Sequence, residues 1–259
     1  MGIGQDQERA RALAAEFEIP LTDEGNKPAL RLEVSSHEVR LAGYLPGEAG
    51  KNVYPIRSDL SRINAFPGWG KPGDVPLYRA ILGKKRGPGR VVFDATGGLG
   101  RDAWLLATIG CSLVVIEREA VIFALLRDGV ARAGIDAQQV ARRIRLVHAQ
   151  SEDVLGHLGH ELQSGTRMFL PEPHVVYLDP FFHSQRKRKG ASKRSLQVIR
   201  HVAGECEMGR DREILDLALQ VAMERVVVKR PKQSDPLGSR YGRLTHSIRG
   251  RGCRFDVYQ

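Results

Sequence analysis

Three carboxylates each close a short apolar run: Asp94 after Val91-Val92-Phe93, Glu117 after Leu113-Val114-Val115-Ile116, and Asp179 after Val175-Val176-Tyr177-Leu178. An acid in that position can accept hydrogen bonds from ligand hydroxyls or offset a ligand's positive charge. Asp94 is followed by Ala95-Thr96-Gly97-Gly98-Leu99-Gly100-Arg101-Asp102-Ala103, which contains the G-x-G-x-x-A spacing of a dinucleotide fingerprint. Glycines there let the backbone approach a ligand, and the helix they open offers free N–H groups. A tight strand-to-helix turn with no ligand would ask for the same glycines. Glu117, one strand later, suits the two hydroxyls of a ribose, a demand shared by NAD and S-adenosylmethionine. Asp94 favours the second, because it would repel a pyrophosphate and attract the sulfonium and amino groups of S-adenosylmethionine.

Asp179-Pro180-Phe181-Phe182 is the sharper signal. Asp-Pro also makes an ordinary turn, but the tetrapeptide resembles the [Asn/Asp/Ser]-Pro-Pro-[aromatic] signature of methyltransferases acting on exocyclic amines of bases and on amide nitrogens. An aryl amine is a poor nucleophile because its lone pair is delocalised into the ring. A carboxylate and a backbone carbonyl accepting its two N–H groups localise that pair, and an aromatic ring stacked on the base fixes the line of attack. Asp179 and Phe182 are therefore the candidate catalytic residues. His148, His174 and His183 read as core or hydrogen-bonding histidines, and Cys111 as a packing residue. Cys111, Cys206 and Cys253 are too few and too far apart for a disulfide framework or a zinc site, so no metal is expected.

The elements that must position these residues follow from periodicity. From residue 91 onward strands alternate with helices. Strands are expected at 91–94, 113–117, 144–148, 174–178 and 225–229, helices at 101–109, 119–133 and about 210–223, and a closing hairpin pairs 245–248 with 254–258. Such alternation implies a mostly parallel, doubly wound α/β sheet of Rossmann type with an antiparallel addition, binding ligands at the carboxyl ends of its strands. Ahead of it, a helix over 8–17, a hairpin of 30–34 with 39–41, and a Gly/Pro-rich loop over 43–75 suggest a small α+β subdomain. The expected division is 1–80 and 81–259.

Charge separates the same two parts. The 259 residues carry 40 Lys+Arg against 30 Asp+Glu, a formal net charge of +10, with 42% hydrophobic and 27% charged residues. Residues 1–80 are close to neutral, so the excess lies in the larger part. Arg186, Lys187, Arg188, Lys189, Lys193, Arg194 and Arg200 form a run without an acid, and residues 225–254 set many bases against Asp235 alone. Either run could be a solvated face, but two flanking a candidate site point to a polyanion, most simply nucleic acid. No apolar stretch reaches membrane-spanning length, and Asp6, Glu8, Glu16 and Glu18 are unlike a secretory signal. A cytoplasmic protein without membrane contact is expected.

The run 94–103, Glu117-Arg118, 175–180, 225–231 and the closing Arg254-Phe255-Asp256-Val257-Tyr258 together resemble the RsmJ family of bacterial small-subunit ribosomal RNA (guanine-N2) methyltransferases. The likeness is close over 88–259 and loose over 1–87. It implies the class I S-adenosylmethionine-dependent fold and methyl transfer to the exocyclic N2 amine of a guanine in 16S ribosomal RNA or the small subunit. It also implies cofactor contacts at Arg101, Asp102, Glu117, Arg118, Gln150, Ser151 and Asp179, beside Asp94 read from the residues themselves. Gln150-Ser151 stands where the family carries a pair of small residues. The rival readings are an amine methyltransferase for another nucleic acid, a non-catalytic RNA-binding assembly factor, and an NAD-dependent oxidoreductase, which would need neither Asp179-Pro180-Phe181-Phe182 nor the basic runs.

Overall fold

The computed structural model describes residues 2–22, 29–45, 53–63, 74–83, 89–165, 169–180, 191–204 and 208–259. The chain opens with α1 (Gly2–Glu16) and three antiparallel strands, β1 (Leu30–Val34), β2 (Val39–Gly43) and β3 (Val53–Ile56). After α2 (Pro76–Leu82) come β4 (Val91–Asp94), α3 (Arg101–Thr108), β5 (Ser112–Glu117), α4 (Ala120–Asp136), α5 (Gln138–Ala141) and β6 (Ile144–His148). The remainder is α6 (Ser151–Ser164), β7 (Val175–Leu178), α7 (Ala191–Ala203), α8 (Met208–Val221), β8 (Arg225–Pro231), β9 (Leu244–Arg249) and β10 (Cys253–Tyr258).

The apolar runs of β4, β5, β7 and β8 have no polar break because both faces of their sheet are covered. Alternate residues serve opposite layers. Val92, Leu113, Val115, Tyr177 and Val227 pack towards Tyr78 and Ile81 of α2 and Leu106 of α3. Phe93, Val114, Ile116, Val176 and Val228 pack towards Leu155 of α6 and Leu215 of α8. The seven strands lie in the order β6-β5-β4-β7-β8-β10-β9. β4 to β8 are parallel, and β10 is antiparallel to both its neighbours. The chain therefore moves outward from β4 to β6 and returns on the other side of β4 as β7. That reversal opens a crevice above the carboxyl ends of β4 and β7, where such sheets bind ligands.

The class of fold and the closing hairpin agree with expectation, and some elements go beyond it. β3 lies in the stretch expected to be loop. Pro55 argues against a strand, but an outer position in the order β1-β2-β3 tolerates it. α2 begins with Pro76 and stops at Gly83, and it buries five of its residues beneath the large sheet. α5, α6 and α7 have no counterpart among the expected helices either.

The N-terminal sheet does not stand apart. Val39, Leu41 and Ile56 share one core with Leu13 and Phe17, with Ile122, Phe123 and Leu125 of α4, and with Val198 and Ile199 of α7. Arg9 of α1 donates to the buried Asp128 of α4 at 2.7 Å, and Arg132 holds the other carboxylate oxygen at 2.7 Å. Among the described residues no helix is long and apolar enough to cross a membrane.

Candidate active site

The crevice is assembled by the turn after β4. The Thr96 N–H and hydroxyl donate to Asp94 Oδ1 at 3.1 and 3.4 Å, and the same hydroxyl oxygen accepts the Asp179 N–H at 2.6 Å. One threonine thus ties the end of β4 to the end of β7. Gly97 N–H donates to the Ile116 carbonyl at 2.8 Å, and the Ser151 hydroxyl donates to the Ala95 carbonyl at 2.6 Å. Glu117, buried at the end of β5, accepts the Gly98 N–H on Oε2 and the Glu119 N–H on Oε1, each at 2.8 Å.

The glycines of the turn divide their work. A Cβ on Gly97 would lie 2.7 Å from Val115 Cγ1, and one on Gly100, at φ +77°, 2.4 Å from Leu126 Cδ1. These two are glycine so that the turn can pack on β5 and α4. Only Gly98, at φ +53°, turns an open side outward, its nearest neighbour being Thr96 O at 3.7 Å.

A pocket lies beside this turn, bounded by Thr96, Glu117, Arg118, Ser151, Asp179 and Arg210. Arg118 donates to the Ala203 carbonyl at 2.6 Å and so holds the end of α7 over the opening. Arg210 of α8 is paired with Glu152 and donates to Gln150 Oε1 at 2.6 Å, which closes one rim. Of the expected contact residues, Glu117, Arg118, Ser151 and Asp179 line the pocket, and Asp94 lies directly under its turn. Gln150 is at the rim, and Arg101 is exposed where α3 begins. Phe182 and His183 lie outside the described residues, as do residues 186–190 of the first basic run. His148 and His174 have structural partners. The His148 ring stacks on Phe123 at 5.0 Å, and His174 Nδ1 accepts the Val91 N–H at 3.2 Å.

Asp102 is placed differently from the other acids. It is 16% exposed, and its Oδ2 accepts the Tyr177 hydroxyl at 2.6 Å and the Lys229 ammonium at 2.8 Å. Lys229 also donates to Asp179 Oδ2 at 2.7 Å. Sequence reasoning missed Lys229, Tyr177, Thr96 and Arg210. Burial works against a charged amine at Lys229, but the two carboxylates outweigh it and raise its pKa. Burial likewise pushes Asp102 up, and Lys229 with Tyr177 more than offsets this, so its carboxyl sits below the usual range. Asp94, buried and close to the charges of Asp102, Asp179 and Glu117, is pushed up to about 7.

The second basic stretch is only partly a surface. Arg254 donates to both oxygens of the buried Asp256, at 2.8 and 2.9 Å, and Arg230 donates to the Asp235 carbonyl at 2.5 Å. Lys232, Arg240, Arg243, Arg249 and Arg251 are the exposed members.

These residues fit S-adenosylmethionine. Buried and half-buried acids surround the turn where a sulfonium would lie, and Glu117 stands at the strand end where a ribose would reach it. Residues 68–259 match the sequence model of a family of S-adenosylmethionine-dependent methyltransferases. A crystal structure of a S-adenosylmethionine-dependent methyltransferase from Neisseria gonorrhoeae superposes with a TM-score of 0.66 at 25% identity, covering 97% of this chain and 91% of that one. Fold, site and match define an S-adenosylmethionine-dependent methyltransferase.

Two proteins named ribosomal RNA small subunit methyltransferase J are similar along nearly their whole length. The one from Thioalkalivibrio sulfidiphilus is 38% identical over 256 residues, covering 97% of this chain and 93% of its own. The one from Vibrio parahaemolyticus is 39% identical over 251 residues, covering 95% and 91%. The chain belongs to the ribosomal RNA small subunit methyltransferase J family.

Proposed function

We propose that the enzyme methylates the exocyclic N2 amine of a guanine in 16S ribosomal RNA, as free RNA or within the small subunit, and that it works in the cytoplasm. The observation that carries this reading is Asp179: it ends β7 beside the cofactor pocket, and its side chain keeps 38% of its surface exposed. When bound, S-adenosylmethionine supplies an electrophilic methyl group. Asp179 accepts an N–H of the amine and turns the nitrogen lone pair towards that methyl. As the nitrogen gains the methyl it gives up a proton, and the Asp179 carboxylate is the group that first receives it. Phe182 stacks the base, which must leave its helix or stack to reach the pocket. Glu117 holds the ribose hydroxyls, and Asp94 with the turn at 97–100 holds the positively charged end of the cofactor. Arg101, Asp102, Arg118, Gln150 and Ser151 complete the proposed cofactor contacts.

The test is methyl transfer into ribosomal RNA from cells lacking the enzyme, followed by mass spectrometry of the digested RNA. The expected product is one N2-methylguanosine in the small-subunit RNA. A methylated base elsewhere would redirect the substrate, and no incorporation from RNA or assembled subunits would end the reading.

The first basic run is proposed to hold phosphates. Changing Arg186, Lys187, Arg188 and Lys189 to Glu should raise the Kd for RNA and flatten its salt dependence, by roughly 0.7 in log–log slope for each single-strand phosphate that is no longer neutralised. S-adenosylmethionine affinity should not change, because such charges are screened beyond about 10 Å. A slope equal to wild type would return the run to a solvated face.

Asp94 makes cofactor binding depend on pH. Its carboxyl titrates at about 7 rather than 3.8, chiefly because it is buried and also because other acids surround it. A cation beside it favours the ionised form, so binding S-adenosylmethionine should expel a proton and tighten as pH rises through that value. Calorimetry in buffers of different ionisation enthalpy measures both effects, and Asp94→Asn should abolish them. Without ligand the sign is opposite. The native form keeps the proton longer than the unfolded chain, so this group's contribution to stability falls as pH climbs towards about 7.

A further inference from the structure

The cluster behind Asp179 does more than pack. Leu178 pairs with Val228 across β7 and β8, so Asp179, the residue after β7, lies level with Lys229, the next residue of β8. The exposures of the three groups are graded: Asp102 16%, Lys229 26% and Asp179 38%. Asp102 is the inner member, fixed from behind by the Tyr177 hydroxyl at 2.6 Å, and Asp179 the outer one, facing the pocket. Lys229 Nζ spans them at 2.8 and 2.7 Å and occupies only Oδ2 of Asp179.

We infer that Lys229 is the positioning residue for the reaction: by bridging Asp102 and Asp179 it holds Asp179 as a carboxylate, fixes Oδ2, and leaves Oδ1 to the substrate amine. This rests on the reading that Asp179 receives that amine. Stability alone is a weak reason for such a cluster, since replacing a buried ion triad by apolar groups is often neutral or stabilising. Its chemical consequence is larger. Asp94, Asp102 and Asp179 crowd one another, and acids so placed share a proton unless a cation intervenes. A proton on Asp179 would turn an acceptor into a donor and point an O–H at the lone pair it should help to aim. Burial and the charge of Asp102 keep the Asp179 carboxyl above its usual range even with Lys229 opposing both, and losing Lys229 would push it further up.

Among the described residues, the charged and titratable groups around Asp179 come from every neighbouring element. They are Lys229 of β8, Asp102 of α3, Asp94 of β4, Tyr177 of β7 itself and Cys253 of β10, with Glu117, Arg118, Glu119, Arg210 and Asp211 lining the same pocket. Lys229 is the one cation within hydrogen-bonding distance of the Asp179 carboxylate in this set.

The experiment is the pH profile of kcat at saturating S-adenosylmethionine and RNA, where the titration of Asp94 in the free enzyme no longer contributes. Lys229→Met should move the rising limb upward by about 1–3 pH units, the size expected when an opposite charge at bonding distance is removed. Adding Asp102→Asn to Lys229→Met should bring the limb back down by removing the repelling acid, whereas Lys229→Arg should keep it near its wild-type position. A limb that stays put in Lys229→Met, however low its kcat, overturns the inference. If Lys229→Met does not fold, the isosteric Asp102→Asn tests the same linkage from the other side. It gives Lys229 to Asp179 alone and should lower the limb, and an unmoved limb there is equally fatal. Infrared difference spectra, assigned by the loss of the band in Asp179→Asn, read the carboxyl without turnover. A protonated Asp179 in Lys229→Met with unimpaired turnover would leave the charge linkage standing and instead remove Asp179 from the reaction.

Discussion

Asp179→Ala turns over about a hundredfold to a thousandfold more slowly than wild type at saturating S-adenosylmethionine, while its affinity for RNA is nearly unchanged. The two halves of this expected result have different physical origins. RNA affinity is the sum of many phosphate contacts, and one strand-end carboxylate adds little to it. Transfer depends on one amine aimed at one methyl, and losing a preorganised hydrogen-bonding group of that kind costs on the order of 10²–10³ in rate. The substitution also strands Lys229, which keeps Asp102 at 2.8 Å and loses its partner at 2.7 Å. Thermal melting of the variant therefore belongs beside the rates, and Asp179→Asn, which keeps the shape and loses the charge, separates orientation from charge. Near-normal turnover by folded Asp179→Ala would remove the proposed role of this residue while leaving the fold and cofactor site untouched.

Glu117→Ala binds S-adenosylmethionine about tenfold to a hundredfold more weakly. Hydrogen bonds to a charged group contribute about 1.5–3 kcal/mol, and each 1.4 kcal/mol is tenfold in affinity. The structure adds a second route to the same loss, because Glu117 also anchors the Gly98 and Glu119 N–H groups at 2.8 Å. Removing it frees the turn that forms the pocket floor. Glu117→Gln distinguishes the two, since its amide oxygen can keep one backbone bond but the side chain no longer offers two carboxylate acceptors. Calorimetric titration of the three proteins checks this, and an unchanged Kd in Glu117→Ala would mean that the ribose lies elsewhere.

What could be read from the sequence was what depends on local pattern. β4, β5 and β7 are buried on both faces, so they appear as unbroken apolar runs, and the acids that end them mark the crevice without further information. Glu117 and Asp179 were legible for that reason. Lys229 has the same kind of signal, a charge closing Val226-Val227-Val228, but its meaning depends on β8 lying next to β7, which is a property of the sheet order rather than of either strand. α6 was hidden by Gly156, Gly159, His157 and His160, all poor helix formers within Ser151–Ser164. α7 was hidden by its basic beginning, because its apolar face emerges only at Val198, Ile199 and Ala203. The glycines after β4 were located by their spacing, and only the partners of Gly97 and Gly100 reveal that both also serve packing.

The ring of Phe17, at the end of the N-terminal helix, meets Phe123 edge-on at 5.8 Å and His148 at 5.2 Å, and His148 Nε2 lies 3.0 Å from the Arg118 carbonyl. Three aromatic groups thus connect the first turns of the chain to the backbone between Glu117 and α4. The catalytic sheet cannot be excised from its preface: cut away residues 1–60, and the apolar sides of α4 and α7 become raw surface of the kind that drives self-association. The described pocket residues all come from later in the chain, and the opening segment reaches them through α4, α7 and His148. The opening segment is thereby a buttress for the catalytic chamber, built, among the described residues, from side chains outside the pocket's lining.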